Sequence, residues 1–480
     1  MIKIRNFCIV FFLSLAGTLL LTASNNDYYL NINKSFEIFG GVFRELTNNY
    51  VDEVDPADMM KDGIDGILKH LDPYTNYIQD DDSEDIEIIT NGSYNGLGIT
   101  VGIKDSMLTI IDMHDGFSAQ RNGVRIGDRI YSIDTVRLLN SSTDELRKYT
   151  RGKPGSKVNM TVLRGDNFDT LHFILPREEI KLNNVSYSGM LNDTTGYIRL
   201  ERFSRYSAEE VRRAVNELKR NQNFRNLILD LRDNPGGLLE SAVAIIEIFV
   251  KPGSTIVSTR GRNKSEDRFY KSLTQPLDTN LKLAVLINKQ SASASEIVAG
   301  AIQDLDRGVI IGERSFGKGL VQTIFDLPYN NLIKITTSKY YTPSGRCIQR
   351  LDFHNKLKSN IDKTDSVFHT KNGRLVIESS GIMPDTLVKD KIYSDFAREL
   401  IKNDLFFEFA GFYTSSMDSL PIDFKVNNEV LKLFKEYSVK NKFLYNDPLK
   451  IKLDELTKLT KEDKFSKKVQ KEIESLKNLV

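Results

Sequence analysis

Three serines stand at alternate positions, Ser291, Ser293 and Ser295, in a small-residue turn between an apolar run and a helical pattern. The apolar run, Leu283 to Ile287, predicts a buried strand, and apolar residues recur at helical spacing after the turn. A serine at such a strand-to-helix turn exposes its hydroxyl beside unpaired N–H groups, where the positive end of the helix dipole favours a developing oxyanion. The pattern therefore indicates acyl transfer with a serine nucleophile.

The base for such a serine is not a histidine of the same segment, because none of the five histidines lies between Glu179 and Arg350. A lysine can serve instead when burial lowers its pKa enough to leave a neutral amine. Lys318 is best placed, since Gly317 and Gly319 on either side of it would let a substrate backbone approach closely. From the residues alone, a solvated surface lysine remains the alternative.

The string from Ser291 to Ile297, Ser-Ala-Ser-Ala-Ser-Glu-Ile, followed by Gly-Lys-Gly and Gln322, resembles the carboxyl-terminal processing (tail-specific) serine peptidases. In that family the nucleophile precedes the lysine by 25 positions, a spacing that selects Ser293 with Lys318. The resemblance also implies that Gln322, four residues after the lysine, orients the amine. Asp304 matches an aspartate that is supportive in some members; a polar residue on a helix face is its alternative interpretation.

Composition and charge define the class of protein. At 480 residues with 40% apolar content the chain can bury sizeable cores, and its length predicts about two to four domains. A formal net charge of +1, with no basic block interleaved with aromatics, argues against nucleic acid as a partner. No metal or organic cofactor is implied.

Residues 1–24 have the pattern of a secretory signal peptide, with Lys3 and Arg5 ahead of an apolar stretch and then small residues. The apolar run is short for a membrane span, which favours cleavage; an uncleaved amino-terminal anchor is the alternative. The pattern predicts an exported protein, periplasmic or attached to the outer face of the inner membrane. Membrane contact is expected only through this segment.

Helical patterns flank the central part of the chain. Residues 27–85 predict an amino-terminal helical segment, whose string from Leu71 to Tyr77 resembles a family region that in some members helps to dimerise. Residues 391–480 predict a helical carboxyl-terminal extension, whose apolar face must pack on this chain or on a partner. A homodimer and an activating adaptor are therefore open as partners.

Residues 86–178 alternate short β-patterned runs with turn glycines, and the string from Gly116 to Ile130 resembles the middle of a PDZ domain. The substrate-tail-binding loop implied by this resemblance consists of Gly96, Leu97, Gly98 and Ile99. Successive N–H groups in a glycine-rich turn can hold a carboxylate, and the following strand offers an open edge to a peptide. The alternative is a β-barrel in which the same glycines only shape turns.

Residues 179–390 alternate strand and helix patterns and predict an α/β peptidase core, for which the resemblance implies a crotonase-like layered sheet. Asn226 to Leu231 is predicted as a buried strand, and Leu332 to Tyr340 as the strand that completes the central sheet. Ser207, with Glu210 three residues later, predicts a capping box at a helix start.

The Pro-Gly-Gly turn after the strand at Asn226 to Leu231 matches that of the family. The resemblance implies that Gly236 or Gly237 donates a backbone N–H to the oxyanion, with Ala294 as the partner donor. In the alternative interpretation, these glycines only allow positive φ.

Together these features predict an exported serine endopeptidase that cleaves protein or peptide substrates recognised by a free carboxyl-terminal tail. Its architecture would be an α/β peptidase core with an inserted β-rich PDZ domain and helical terminal segments. A secreted Ser-Lys esterase or amidase stays open, although small-molecule hydrolysis needs no reader of peptide tails. A non-catalytic adaptor also stays open, although a decayed site would not be expected to keep Ser293, Lys318 and Gln322 together.

Overall fold

The computed structural model describes residues 29–79, 84–165, 168–350, 366–378, 380–389, 393–415, 417, 420, 421, 423–445, 448–462 and 467–477. These belong to two compact units. Of the described residues, the first comprises those in the ranges 29–79 and 322–337, and the second comprises those in the ranges 84–321, 338–350 and 366–477. The signal segment predicted at residues 1–24 lies outside the described residues. Every helix in the described ranges is too short or too polar to span a bilayer.

The elements are numbered in chain order. The helices are α1 (residues 29–49), α2 (Pro56–Leu68), α3 (Glu84–Asn91), α4 (Ser118–Arg121), α5 (Thr143–Thr150), α6 (Ser207–Leu218), α7 (Leu239–Glu247), α8 (Ala294–Asp304), α9 (Asp395–Lys402), α10 (Leu405–Thr414), α11 (Asn428–Lys440), α12 (Pro448–Glu462) and α13 (Lys467–Lys477). The strands are β1 (Asn76–Ile78), β2 (Ser93–Gly96), β3 (Ile99–Lys104), β4 (Met107–Met113), β5 (Arg129–Ile133), β6 (Val136–Arg137), β7 (Lys157–Arg164), β8 (Asp169–Pro176), β9 (Glu178–Lys181), β10 (Val185–Met190), β11 (Thr195–Leu200), β12 (Asn226–Asp230), β13 (Thr255–Gly261), β14 (Arg268–Lys271), β15 (Lys282–Ile287), β16 (Val309–Gly312), β17 (Leu320–Asp326), β18 (Leu332–Tyr341), β19 (Ser366–His369), β20 (Leu375–Glu378) and β21 (Thr386–Leu387).

The first unit joins the amino-terminal helices to part of a β-hairpin. Asp55 caps α2, since its carboxylate accepts the N–H of Ala57 at 2.7 Å, and Pro56 suits the first helical position, where the N–H is not needed. β1 pairs antiparallel with the first half of β18, with Asn76 opposite Lys334, and β17 also pairs with β18. β18 therefore holds both β1 and β17.

An antiparallel sheet of the order β3-β4-β5-β7-β8, with β6 on β5, lies in the second unit. Alternating residues of its strands form a core that contains Leu108, Ile110, Ile130, Val158, Met160 and Val162. This is the one-sided burial expected of an antiparallel sheet. β3 is an edge strand of this sheet and, among the strands that the structure describes, pairs with β4 alone.

The larger core of the second unit surrounds a sheet of the order β10-β11-β12-β15-β16-β21. All neighbours after β10 are parallel, which accounts for the nearly continuous apolar runs of β12 and β15. α6, α7 and α8 contribute to the same core, and every residue of α8 is buried. Because β12 and β15 are adjacent and parallel, the turns that follow them meet at one edge of the sheet, where α/β folds place their sites.

Two local predictions are wrong. β18 does not complete the central sheet. It pairs antiparallel with β1 and with β13, and it also pairs with β17. The short turn after β17 makes β18 its antiparallel neighbour, because parallel pairing needs a crossover of about a dozen residues or more, and the other neighbours of β18 come from segments distant in sequence. Ser207 is not a helix cap, since its hydroxyl donates to the Ser204 carbonyl at 2.8 Å. The Glu210 carboxylate instead accepts the N–H groups of Asn184 and Val185 at 2.8 and 2.9 Å.

Candidate active site

Ser293 is the residue that joins the turn after β15 to α8. It has a positive φ of 53°, in a region that non-glycine residues rarely occupy, and its side chain is half-buried. Strain of this kind persists only where the surrounding structure fixes the backbone. The following residue, Ala294, begins α8, so its N–H belongs to the unpaired first turn of the helix.

The two neighbouring serines are fully buried and connect this turn to the one after β12. The Ser291 hydroxyl donates to the Leu231 carbonyl at 2.7 Å, and the Ser295 hydroxyl donates to the Asn234 carbonyl at 2.9 Å. Both hydroxyls thus hold the backbone of one turn against the other. Of the three serines, Ser293 alone reaches solvent.

Gly236 lies against the Ser293 turn so closely that a side chain cannot fit. A Cβ there would lie 2.7 Å from the Ala292 carbonyl oxygen and 2.9 Å from the Ala294 nitrogen. The Gly236 N–H, a predicted oxyanion donor, donates to Asn234 Oδ1 at 2.9 Å and so already has an acceptor within its own turn. The N–H groups of Gly237 and Ala294 have no acceptor in the part of the chain that the structure describes.

Lys318 is half-buried in the loop before β17. The expectation that its flanking glycines leave room for a substrate backbone is wrong, because the chain itself fills that space. A Cβ on Gly317 would lie 3.1 Å from the Gly381 nitrogen, and one on Gly319 would lie 2.8 Å from the Gln349 nitrogen. The glycines therefore allow the Lys318 loop to pack against its own chain.

Glu296 ties the Ser293 turn to the Lys318 loop. Its fully buried carboxylate accepts the N–H of Ser293 at 2.9 Å, that of Lys318 at 2.9 Å and that of Gly317 at 2.7 Å. The Ser315 hydroxyl donates to it at 2.6 Å. Burial raises the pKa of Glu296 to about 7, while these four hydrogen bonds favour the ionised form.

Tyr340 makes the matching connection on the carbonyl side. Its buried hydroxyl lies 2.6 Å from the Lys318 carbonyl oxygen and 3.1 Å from the Ser293 carbonyl oxygen. The main chains of Ser293 and Lys318 are thus held at their N–H groups by Glu296 and at their carbonyls by Tyr340. Sequence analysis missed both residues. The Ser-x-x-Glu spacing of a capping box is a signal that points to Glu296, but nothing near Tyr340 in the sequence points to its contacts.

Two further candidate residues occupy different surroundings. Gln322 belongs to the first unit, where its Nε2 donates to the Thr336 hydroxyl at 3.2 Å. Asp304 ends α8, roughly 16 Å along the helix axis from Ser293 at 1.5 Å per residue. Its carboxylate forms a fully buried ion pair with Arg346 at 2.7 Å. The structure therefore places Asp304 in a core contact, away from the Ser293 turn.

The loop of Gly96, Leu97, Gly98 and Ile99 leads into the edge strand β3. Gly98 has a φ of +77°, and the N–H groups of Leu97 and Gly98 have no acceptor within the described residues. Positive charge lies close by, since the Arg151 guanidinium is 4.2 Å from the centroid of the Tyr94 ring in β2. Burial raises the pKa of Tyr94, and the charges of Arg151 and Arg202 oppose this shift. The loop thus offers N–H donors, with the Arg151 guanidinium beside the neighbouring Tyr94 ring.

Comparisons with known proteins give three matching family models. Peptidase family S41 matches residues 194–362, the PDZ domain matches residues 95–175, and a model described as "Probable PDZ-protease, C-terminal helical domain" matches residues 396–480. The carboxy-terminal-processing protease of Bartonella bacilliformis is 34% identical over 351 residues, which cover 71% of this chain and 80% of that protein. The carboxyl-terminal-processing protease of Picosynechococcus sp. is 35% identical over 285 residues, covering 58% and 68%. The solved photosystem II D1 C-terminal processing protease matches with a TM-score of 0.41 and 24% identity, covering 74% of this chain and 93% of that chain.

Proposed function

This chain belongs to the carboxyl-terminal-processing proteases, with a family S41 peptidase region and a PDZ domain, and on that premise we propose that it is an exported serine endopeptidase. It cleaves protein substrates that it recognises by their free carboxyl-terminal tail. Ser293 is the nucleophile, Lys318 is the general base, and Gln322 orients the lysine amine. The protein works in the periplasm or on the outer face of the inner membrane.

This proposal rests on the different surroundings of the three serines. Ser291 and Ser295 are buried and donate their hydroxyl protons to backbone carbonyls, whereas Ser293 is strained and half-exposed at the start of α8. A nucleophile must reach solvent while its backbone stays fixed, and Ser293 combines the two. The Glu296 and Tyr340 contacts fix the Lys318 backbone against that of Ser293.

In the proposed reaction, neutral Lys318 takes the Ser293 hydroxyl proton as the oxygen attacks the scissile carbonyl. The negative charge that develops on the carbonyl oxygen is stabilised by the N–H groups of Ala294 and Gly237, neither of which has another acceptor in the described structure. The Lys318 ammonium then protonates the leaving amine. Water, deprotonated by the same lysine, releases the acyl group from Ser293.

The tail-reading part of the proposal is supported by the loop of residues 96–99. A terminal carboxylate can accept the N–H groups of Leu97 and Gly98, and a peptide strand can add to the open edge of β3. The N–H donors and the charges of Arg151 and Arg202 favour a free carboxylate over a neutral amide.

The direct test compares Ser293→Ala with Ser291→Ala and Ser295→Ala. Ser293→Ala should abolish peptide cleavage and labelling by a fluorophosphonate probe while leaving the melting temperature nearly unchanged. Each control removes a buried hydrogen bond, so it should lower the unfolding free energy by about 1 kcal/mol and keep activity below the melting temperature. Activity that survives in Ser293→Ala and disappears in one control would place the nucleophile elsewhere.

A further inference from the structure

Gln322 is held by a chain of side-chain hydrogen bonds within the first unit. Its Nε2 lies 3.2 Å from the Thr336 hydroxyl in β18, and that hydroxyl lies 3.1 Å from Asp72 Oδ1. Asp72 precedes β1 in the amino-terminal segment. The Thr336 hydroxyl therefore links the Gln322 amide in β17 to a turn that is distant in sequence.

Asp72 determines which groups donate and which accept in this series of hydrogen bonds. Its carboxylate accepts the N–H groups of Tyr74 and Thr75 at 2.8 and 3.1 Å, and the Thr75 hydroxyl at 3.0 Å. The Thr336 hydroxyl is the fourth donor, so three hydrogen bonds converge on Oδ1 and one reaches Oδ2. The Thr75 oxygen in turn accepts the N–H of Thr336 at 3.1 Å. Because both hydroxyls donate to this carboxylate, both hydroxyl protons point toward Asp72.

The Thr336 hydroxyl has a single proton, which it gives to Asp72, so it can only accept a hydrogen bond from Gln322. The amide nitrogen of Gln322 must then face Thr336, and the amide oxygen must face the opposite side of the group. A hydroxyl without the Asp72 partner would suit either orientation of the amide, because it could donate to the oxygen instead.

We propose that Asp72 and Thr336 are positioning residues that fix which way the Gln322 amide faces, so that Oε1 is the atom offered to the base. This inference rests on the proposed function, in which Oε1 accepts an N–H of the Lys318 amine. An acceptor there leaves the amine lone pair for the Ser293 proton. A reversed amide would offer N–H groups, which compete for that same lone pair.

The test is Thr336→Val, with Thr336→Ser as the matched control that keeps the hydroxyl. Valine has nearly the same shape and favours strands, so β18 should persist with little change in melting temperature. With a free-acid peptide substrate, Thr336→Val should lower kcat about three- to tenfold, the range expected for one orienting hydrogen bond, with KM within about twofold of wild type. Thr336→Ser should keep kcat within about twofold, and Asp72→Asn should fall between the two. Wild-type kcat in Thr336→Val would overturn the inference.

A cycle with Gln322→Ala separates this inference from the proposed function. If Thr336 acts through the amide, adding Thr336→Val to Gln322→Ala should change kcat by less than about twofold. A further loss in the double variant would assign the hydroxyl to the fold and overturn the inference alone. Wild-type kcat in Gln322→Ala would instead overturn the role of Gln322 in the proposed function, and the inference with it. If Thr336→Val fails to fold, the same cycle with Asp72→Asn decides.

Discussion

The proposed role of Lys318 as a base requires a neutral amine, whereas a lysine that only supplies charge stays protonated. Lys318→Arg keeps the charge but replaces the amine with a guanidinium, which stays protonated over any accessible pH. We expect kcat to fall at least about a thousandfold, within the combined range of general-base and nucleophile activation. Single-turnover cleavage of a peptide at neutral and alkaline pH measures the effect.

The matched control for this change is Lys289→Arg, which makes the same substitution at an exposed lysine paired with Glu313. It should leave cleavage unchanged, because Lys289 is itself exposed and an arginine there keeps the positive charge beside Glu313. Full activity in Lys318→Arg would require another base.

Glu296 should make activity depend on pH through its own titration. Burial raises its pKa to about 7, so lowering the pH through this value adds a proton to a carboxylate that accepts the N–H groups of Ser293 and Lys318. A proton on Oε2 takes up part of the acceptor capacity of the oxygen that accepts both N–H groups, so the backbone contact is weakened. Glu296→Gln should imitate this state and lower kcat about ten- to a hundredfold at pH 8. The control Glu240→Gln changes an exposed acid in the first turn of α7 and should have no effect.

The same titration predicts an opposite trend in stability. Because the folded-state pKa of Glu296 is raised from 4.5 to about 7, its contribution is full below about pH 4.5 and is lost as the pH rises through about 7. The difference amounts to roughly 3 kcal/mol. Denaturant unfolding at pH values from 4 to 8 should show wild type losing this stability relative to Glu296→Gln. Parallel pH curves for the two proteins would contradict the shift.

At the residue scale, the sequence identifies candidate catalytic side chains more readily than the residues that position them. Ser293 and Lys318 are marked by residue type, turn context and family spacing. Tyr340 is not marked, because its hydroxyl contacts depend on β18 passing the Lys318 loop, and no local pattern encodes that approach. The hydrogen bond from the Gly236 N–H to Asn234 likewise depends on the folded shape of the turn, which the sequence pattern does not specify.

At the scale of elements, the two ends of α8 make different kinds of contact. Its first turn lies at Ser293, and its last residue, Asp304, pairs with buried Arg346. Asp304→Ala would leave a buried positive charge without its partner, so we expect a loss of about 3–5 kcal/mol in unfolding free energy. Cleavage by the protein that stays folded at low temperature should remain near wild type.

Two comparisons test this assignment of Asp304. Asp395→Ala breaks an exposed ion pair with Arg398 and should cost at most about 1 kcal/mol. Asp304→Leu combined with Arg346→Met removes both buried charges and should be less destabilised than Asp304→Ala. A thousandfold loss of kcat in fully folded Asp304→Ala would instead indicate a catalytic role.

The sequence pattern predicted β12 and β15, the two parallel strands whose turns form the site, to within about a residue at each end, but it did not predict β16. These strands are buried and consist mostly of apolar residues, so the apolar run in the sequence identifies them clearly. The placement of β18 could not be predicted in this way, since period and length do not specify a partner. The short connection to β17 allows only antiparallel pairing with that strand, whereas the pairings with β1 and β13 depend on contacts distant in sequence.

At the scale of the whole molecule, the PDZ domain should make cleavage depend on a group that is distant in sequence from the scissile bond. Two peptides of one sequence, one with a free carboxyl terminus and one amidated, differ by one negative charge and its hydrogen bonds. The amidated peptide should be cleaved about ten- to a hundredfold less efficiently, which corresponds to roughly 1.5–3 kcal/mol. Equal values of kcat/KM for the two peptides would mean that the PDZ domain only braces the peptidase region.

Gly98→Val tests whether the loop of residues 96–99 is the reader. Gly98 has a φ of +77°, and a Cβ there would lie 2.9 Å from the Cβ of Phe117, so valine must displace the loop and its N–H groups. The control is Gly127→Val, which meets similar backbone strain at a φ of +93° but open space, elsewhere in the same β-rich region. Gly98→Val should remove the preference for the free-acid peptide, while Gly127→Val should keep it. If docking only tethers the substrate, KM for the free-acid peptide rises and kcat stays; if tail binding also helps to assemble the Ser293 and Lys318 site, kcat falls instead. A preference that survives unchanged in Gly98→Val would contradict tail binding at this loop.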